Sequence, residues 1–191
     1  MSTHPQEVLA FWFDPVQVGQ WFAANADLDA QIRRRFERTV DAAMRGQLDA
    51  WATRFDSWLA LLILLDQFPR NLYRADARAW AADVKAQRVA LSGLDDRFDQ
   101  SLPPLRRVFA YLPLEHAEDM GLQQRSVALF ETLYLQMSPE QRERYAGFLD
   151  YARRHREVIA RFGRFPHRNA MLGRTNTADE VAYLAQPGAG F

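Results

Sequence analysis

Two segments combine cationic and amide side chains in a pattern typical of an anion site. Residues 66–74 read DQFPRNLYR and residues 161–169 read RFGRFPHRN, so both contain Phe-Pro and, shortly after it, Arg-Asn. Proline disfavours helical geometry in the residue before it, so Pro69 and Pro166 predict a turn after each preceding helix. Free N–H groups where the next helical segment begins, together with these side chains, would form an anion cradle. The predicted ligand-binding residues are Arg70, Asn71, Arg164, His167, Arg168 and Asn169.

The same side chains also have a purely structural interpretation. The arginines and asparagines could cap helix carbonyls and pair with Asp66 or Glu115 inside the fold, as buried polar groups commonly do. Charge density favours a site, because residues 153–174 contain seven arginines and two histidines against one acid, Glu157. Both interpretations remain open from the sequence.

A second polar cluster is YLPLEHAED at residues 111–119. If this segment is helical, Glu115 and Glu118 share one face, and a carboxylate beside a histidine can act as a general acid and base. His155 falls on the apolar stripe of a later helix, which is more typical of a hydrogen-bonded core histidine than of a catalyst. The candidate catalytic residues are His116, His155 and Glu115. No local ligand spacing supports a metal, so we expect no metal ion, and the acids could simply neutralise segment 153–174.

Composition excludes several classes of function. The chain has no cysteine, which rules out disulfides and thiolate chemistry and fits a cytoplasmic protein. No nucleophile elbow, glycine-rich phosphate loop or dinucleotide fingerprint is present, so no cofactor is predicted and any hydrolysis would use water. A net charge of zero argues against nucleic-acid binding. The longest apolar run has eight residues, far fewer than the ~20 of a membrane helix, and residues 1–15 do not read as a signal peptide.

Helical periodicity accounts for nearly the whole chain. Leu28 to Met44 repeat apolar residues every four positions and stop at Gly46, while residues 57–68 are apolar all round and predict a central core helix. Capping boxes are expected at Ser138 with Gln141 and at Thr177 with Glu180. We therefore predict one all-α domain over residues 1–186, with about eight helices in antiparallel pairs, and a frayed tail at 187–191.

Three long motifs also resemble a known family. LLDQFPRNLYR, YLPLEHAED and HREVIARFGRFPHRNAMLGRTNTADEVAYL together are similar to the bacterial family known as domain of unknown function 924. The resemblance covers nearly the whole chain and departs at Ala117, where the family pattern has serine. It implies a tetratricopeptide-like all-α fold, and it implies no activity, cofactor or catalytic residue. The polar motif positions that match are Asp66, Gln67, Arg70, Asn71, Glu115, His116, Glu118, His155, Arg164, His167, Arg168 and Asn169.

Three functions are compatible with these observations, and the sequence does not decide whether the protein is an enzyme or an oligomer. The first is binding of a small anionic ligand or a peptide carboxylate in a pocket lined by arginine and histidine. The second is a tetratricopeptide-like module for protein partners, although no 34-residue repeat is visible. The third is a hydrolase in which His116 or His155, with an adjacent carboxylate, activates water. A closed polar network that only fixes helix docking is the structural alternative.

Overall fold

The structure, a computed structural model, describes residues 3–190 and is helical throughout. No β-strand forms in this range, which confirms the predicted all-α fold. The α-helices are α1 (Pro5–Trp12), α2 (Pro15–Val18), α3 (Ala26–Met44), α4 (Phe55–Leu62), α5 (Phe68–Leu72), α6 (Asp83–Asp95), α7 (Pro104–Glu115), α8 (Met120–Leu135), α9 (Pro139–Phe162) and α10 (Ala178–Leu184). Among the helices of residues 3–190, none has both the length and the apolar composition needed to cross a bilayer.

Contacts group the chain into two compact units, with the boundary after Pro113. The single domain over residues 1–186, the tail at 187–191 and the tetratricopeptide-like array therefore stay predictions. Met1, Ser2 and Phe191, which belong to those predicted ranges, lie outside the described residues. Of the described tail, Gly190 donates its N–H toward the hydroxyl of Tyr183 at 3.5 Å.

The first unit is built around the predicted core helix. Trp58 through Leu65 are fully buried because this segment is apolar on every face. The Trp58 indole donates to the carbonyl of Val89 at 2.7 Å and packs directly on Gly93 of α6. A Cβ at Gly93 would lie 2.3 Å from the Trp58 ring, so only glycine permits this helix contact.

The core helix does not end before Pro69, and the predicted turn there is wrong. A π-helical turn over Ile63–Gln67 follows α4 directly, and α5 then continues through Pro69 to Leu72. Proline has no N–H to give to the carbonyl four residues earlier and its ring clashes there. The wider π turn just before the proline accommodates this defect, so the chain stays helical.

The second unit contains an antiparallel pair formed by α8 and α9, joined only by residues 136–138. Helix α9 starts at Pro139 as predicted, but the Ser138 side chain does not cap it, so the first predicted capping box is wrong. Gly163, at φ 69°, ends α9, and Pro166–Arg168 form a 3₁₀ turn, as expected. The second predicted box, Thr177 with Glu180, is present at the start of α10.

Candidate functional site

The first Phe-Pro segment is a network of ion pairs within the first unit. Both terminal nitrogens of Arg70 donate to the carboxylate of Asp83, at 3.0 and 3.1 Å, and Nη1 also contacts Asp66. Burial alone would lower the pKa of Arg70, but the charges of Asp66 and Asp83 raise it above its ordinary value. Asn71 donates to the carboxylate of Asp29 at 2.8 Å. The guanidinium and the amide are therefore occupied by acids of the same unit.

Arg164, in the second Phe-Pro segment, is paired in the same way. Its Nε and Nη2 donate to the two carboxylate oxygens of Glu180 at 2.6 and 2.8 Å. This pairing, together with the N–H of Thr177, lowers the pKa of Glu180 to about 2. Glu180 also closes the α10 capping box, so a single carboxylate fixes the start of α10 and holds Arg164, which follows α9.

Arg168 and Asn169 are buried in the polypeptide interior of the second unit. Arg168 donates from Nη2 to the backbone carbonyl of His116 at 3.1 Å, and its guanidinium lies 4.6 Å from the centre of the Phe165 ring. Asn169 is fully buried and donates to the side-chain oxygen of Asn176 at 2.7 Å. The His167 ring lies 5.6 Å from the Phe165 ring, tilted by 38°.

Glu118 holds the same turn through an arginine that sequence analysis did not select. Its carboxylate accepts the N–H of Phe165 at 2.8 Å and both terminal nitrogens of Arg174. Burial would raise the pKa of Glu118, but these donors lower it below its usual range. The alternative that the acids of 115–119 neutralise the arginine-rich segment is thus realised by Glu118. The only sequence signal for Arg174 was its place among the seven arginines.

The three candidate catalytic residues come together in the second unit. Ligand atoms of Glu115, His116 and His155 all lie within 4.8 Å of one another. Glu115 is the last residue of α7 and His116 follows it, while His155 faces inward from the middle of α9, as its position in the stripe predicted. Glu115 and His155 are buried, and His116 is half-buried.

A hydrogen bond fixes the orientation of the His155 imidazole. Its Nδ1 lies 2.9 Å from the carbonyl of Tyr151, which can only accept, and 3.3 Å from a carboxylate oxygen of Glu115. Burial, followed by the charges of His116, Arg168 and His167, lowers the pKa of His155 to about 2, so the ring is neutral at physiological pH. Nδ1 therefore carries the single proton and Nε2 carries the lone pair.

The bend that presents Glu115 and His116 is fixed by a buried amide. Gln123 of α8 is fully buried and donates to the carbonyls of Glu115 and Ala117 at 2.6 and 2.8 Å. These carbonyls lie where α7 ends and would otherwise lack intrahelical partners. The segment 111–119 is therefore not one helix: α7 ends at Glu115, before Glu118, and Asp119 caps α8.

The described part of the second unit has hollows on its surface, of which two lie beside α9 and α10. We call one of them, a hollow of about 320 Å³, the α9–α10 groove. Its lining residues are Arg154, Glu157, Val158, Arg161, Phe162, Tyr183, Gln186, Pro187, Gly188 and Ala189. A neighbouring hollow is lined by Arg161, Phe162, Arg164, Thr177, Asp179 and Glu180. Of the predicted ligand-binding residues only Arg164 lines either of these two hollows, and all six stay predictions.

The chain is similar to proteins that share this fold. A family model described as "Bacterial protein of unknown function (DUF924)" matches residues 8–188. A solved structure, of the protein of unknown function ATU0120 from Agrobacterium tumefaciens, has 38% sequence identity and a TM-score of 0.85, over 95% of this chain and 96% of that one. No curated protein matches the chain. Because the family model spans nearly all of it, the chain belongs to the bacterial family DUF924, which confirms the resemblance seen in its motifs.

Proposed function

We propose that the protein binds a small organic carboxylate, such as the carboxyl end of a peptide, in the α9–α10 groove. The single observation that supports this proposal is the pair of arginines, Arg154 and Arg161, in the lining of one hollow. They are seven residues apart on α9, which is two turns, and so they project from the same helix face. Arginine presents a planar fork of donors that matches a carboxylate.

Aromatic rings hold both guanidinium groups in place. The guanidinium carbon of Arg154 lies 5.0 Å from the centre of the Tyr151 ring, and that of Arg161 lies 4.7 Å from the centre of Phe162. Stacking of this kind restricts the long arginine side chain, which reduces the entropy that is lost when a ligand binds. The groove is therefore partly organised for an anion.

The rest of the lining suggests the chemistry of the ligand. Val158, Phe162 and Tyr183 supply apolar surface, and the Phe162 and Tyr183 rings lie 5.1 Å apart. Glu157 lies between the two arginines in sequence and adds a negative charge to the same hollow. A carboxylate that carries an apolar group and an N–H donor fits these groups better than a phosphate does, because Glu157 would repel a second negative charge.

The test is a thermal-shift screen of the full chain against short peptides with either a free or an amidated C-terminus. A ligand at a hundred times its Kd adds about 2.7 kcal/mol to the free energy of unfolding, which raises the Tm measurably. We expect free carboxylates alone to act, and Arg161→Gln to abolish the shift. Arg153→Gln, which removes an exposed α9 arginine paired with Glu131, is the matched control. An equal shift with amidated peptides, or in Arg161→Gln, would contradict the proposal.

A second candidate function is hydrolysis at the Glu115–His116–His155 cluster. The distance of 3.3 Å between Glu115 and Nδ1 of His155 supports it, because a carboxylate at Nδ1 orients an imidazole whose Nε2 accepts a proton. A pKa of about 2 makes His155 alone a weak base at neutral pH. Water activation here would therefore need His116 or a bound cation. The tetratricopeptide-like module for protein partners stays a prediction from the resemblance.

A further inference from the structure

We infer that Glu115, His116 and His155 form a binding site for a divalent transition metal ion, with zinc as the best fit. The inference concerns a different place from the α9–α10 groove and does not depend on the function proposed there. It departs from the sequence prediction that no metal binds. One carboxylate oxygen and two imidazole nitrogens, all within 4.8 Å of one another, converge from two separate segments of the second unit.

The orientation of His155 is that of a metal ligand. Metal-bound histidines nearly always donate their second ring N–H to a carbonyl or a carboxylate, which fixes the tautomer. Nδ1 of His155 makes this bond to the carbonyl of Tyr151. Nδ1 is also the ring nitrogen that lies 3.3 Å from Glu115, and metal binding at Nε2 would leave the Tyr151 bond intact.

The second ligand pair is placed by the end of α7. Glu115 and His116 are adjacent, and the Gln123 amide fixes the carbonyl of Glu115, so the backbone that carries both side chains is held before any metal arrives. Arg168 holds the next carbonyl, that of His116. A backbone anchored at successive carbonyls limits the movement required of the two ligands.

The donor set favours zinc over magnesium or calcium. Two imidazoles and one carboxylate form the three-ligand set of catalytic zinc sites, in which water or a substrate takes the fourth position. Magnesium and calcium prefer sites made of oxygen atoms. In a tetrahedral site with bonds of about 2.1 Å, ligand atoms lie roughly 3.4 Å apart, so separations of up to 4.8 Å would close by side-chain movements of under about 1 Å each.

The charges around the cluster set what else would bind. Glu115 cancels one of the two metal charges, and the guanidinium of Arg168, which donates to the carbonyl of His116, adds a positive charge beside the cluster. The loaded site would thus keep a net positive charge. An anionic fourth ligand, a hydroxide or a carboxylate, is favoured there over a neutral one. Phe165, with its ring 5.5 Å from that of His155, supplies an apolar wall.

The experiment is a titration of the full chain, without a histidine tag and stripped of metal by a chelator, with Zn²⁺ in competition with a chromophoric indicator. We expect one Zn²⁺ per chain. His116→Ala and Glu115→Gln should each weaken binding at least tenfold, because loss of a residue that only supports a metal ligand already costs about 10- to 100-fold. Co²⁺ should give the intense visible absorption of tetrahedral coordination in the wild type, and lose it in both variants.

His4→Ala is the matched control, because His4 is exposed and belongs to the other unit. Its affinity for Zn²⁺ should equal that of the wild type. Circular dichroism and the Tm of each metal-free variant show whether it folds, and His116→Ala is the informative variant because His116 is half-buried. The inference is overturned if the wild type removes no Zn²⁺ from the indicator. It is also overturned if His116→Ala and Glu115→Gln bind Zn²⁺ as tightly as the wild type, or if His4→Ala alone loses the metal.

Discussion

Arg174 and Glu118 are 56 residues apart in sequence and form a two-pronged ion pair, with Nη1–Oε2 at 2.7 Å and Nη2–Oε1 at 2.9 Å. The same carboxylate accepts the N–H of Phe165, and Arg174 donates to the carbonyl of Phe165 at 3.1 Å. Both backbone groups of Phe165 are thus satisfied by this one pair. The pair therefore anchors the turn that carries His167 and Arg168.

Breaking this pair should destabilise the protein. Glu118→Ala leaves the N–H of Phe165 and the guanidinium of Arg174 without their acceptor, and we expect a loss of about 1–2 kcal/mol in the free energy of unfolding. The figure is at the low end because both side chains are about a quarter exposed and water screens them. Urea unfolding measures it. Glu131→Ala, which breaks the exposed pair with Arg153, should cost less than about 0.5 kcal/mol, and an equal cost would contradict the anchoring role.

The pairing of Arg164 with Glu180 should make stability depend on pH in the acidic range. Because the pKa of Glu180 falls from 4.5 to about 2 on folding, its stabilisation is complete above pH 4.5 and is lost as the pH falls toward 2. Glu180→Gln should therefore melt below the wild type at pH 6, and the gap in Tm should shrink between pH 4.5 and 2. Scanning calorimetry across this range is the measurement.

Glu131→Gln is the control for that experiment, since it removes one carboxylate from the exposed surface of α8. Its Tm should stay close to that of the wild type at pH 6. A gap for Glu180→Gln that remains constant from pH 6 to pH 2 would show that the carboxylate charge is not what stabilises the start of α10.

Sequence periodicity predicted the elements that depend on local pattern. These elements are the α3 stripe ending at Gly46, the buried segment 57–68 and the Thr177–Glu180 capping box. Each depends on interactions between residues that are only a few positions apart in the sequence. The failures are also local. Ser138 fits the capping pattern, but Glu140 takes its hydroxyl hydrogen bond instead, and that bond is the first of the contacts that lower the pKa of Glu140.

The residues of the candidate site could be predicted from the sequence, but their proximity could not. Sequence analysis selected Glu115, His116 and His155 one by one and placed His155 on the inner face of its helix. It could not bring a residue of α9 to the end of α7, because 40 positions separate them and many helix arrangements are compatible with the same stripes. The acidic partners of Arg70 and Arg164 were not predicted for the same reason. The chain has 24 acids, and composition alone does not identify Asp83 or Glu180 as the partners.

Gly93 should be intolerant of even the smallest side chain. A Cβ there would lie 2.3 Å from the Trp58 ring, and Trp58 is fully buried and tied to Val89, so the ring cannot move aside. We expect Gly93→Ala to cost about 2–3 kcal/mol in urea unfolding, as overpacking of a core does. Gly147→Ala is the matched control within α9, where nothing lies near the new methyl group. It should stabilise the protein by about 0.5–1 kcal/mol, and a similar loss at both glycines would contradict the packing argument.

Arg168 is expected to stabilise the protein through its buried contacts in the second unit. It is 6% exposed, donates to the carbonyl of His116 and covers the Phe165 ring, so Arg168→Ala removes both a buried hydrogen bond and packing. We expect a loss of about 2–4 kcal/mol by urea unfolding. Arg168→Lys should recover little of it, because an ammonium group cannot stack flat on Phe165 while reaching the carbonyl. Full stability in Arg168→Lys would mean that charge alone matters at this position, and unchanged stability in Arg168→Ala would mean that the turn is held by Glu118 and Arg174 without it.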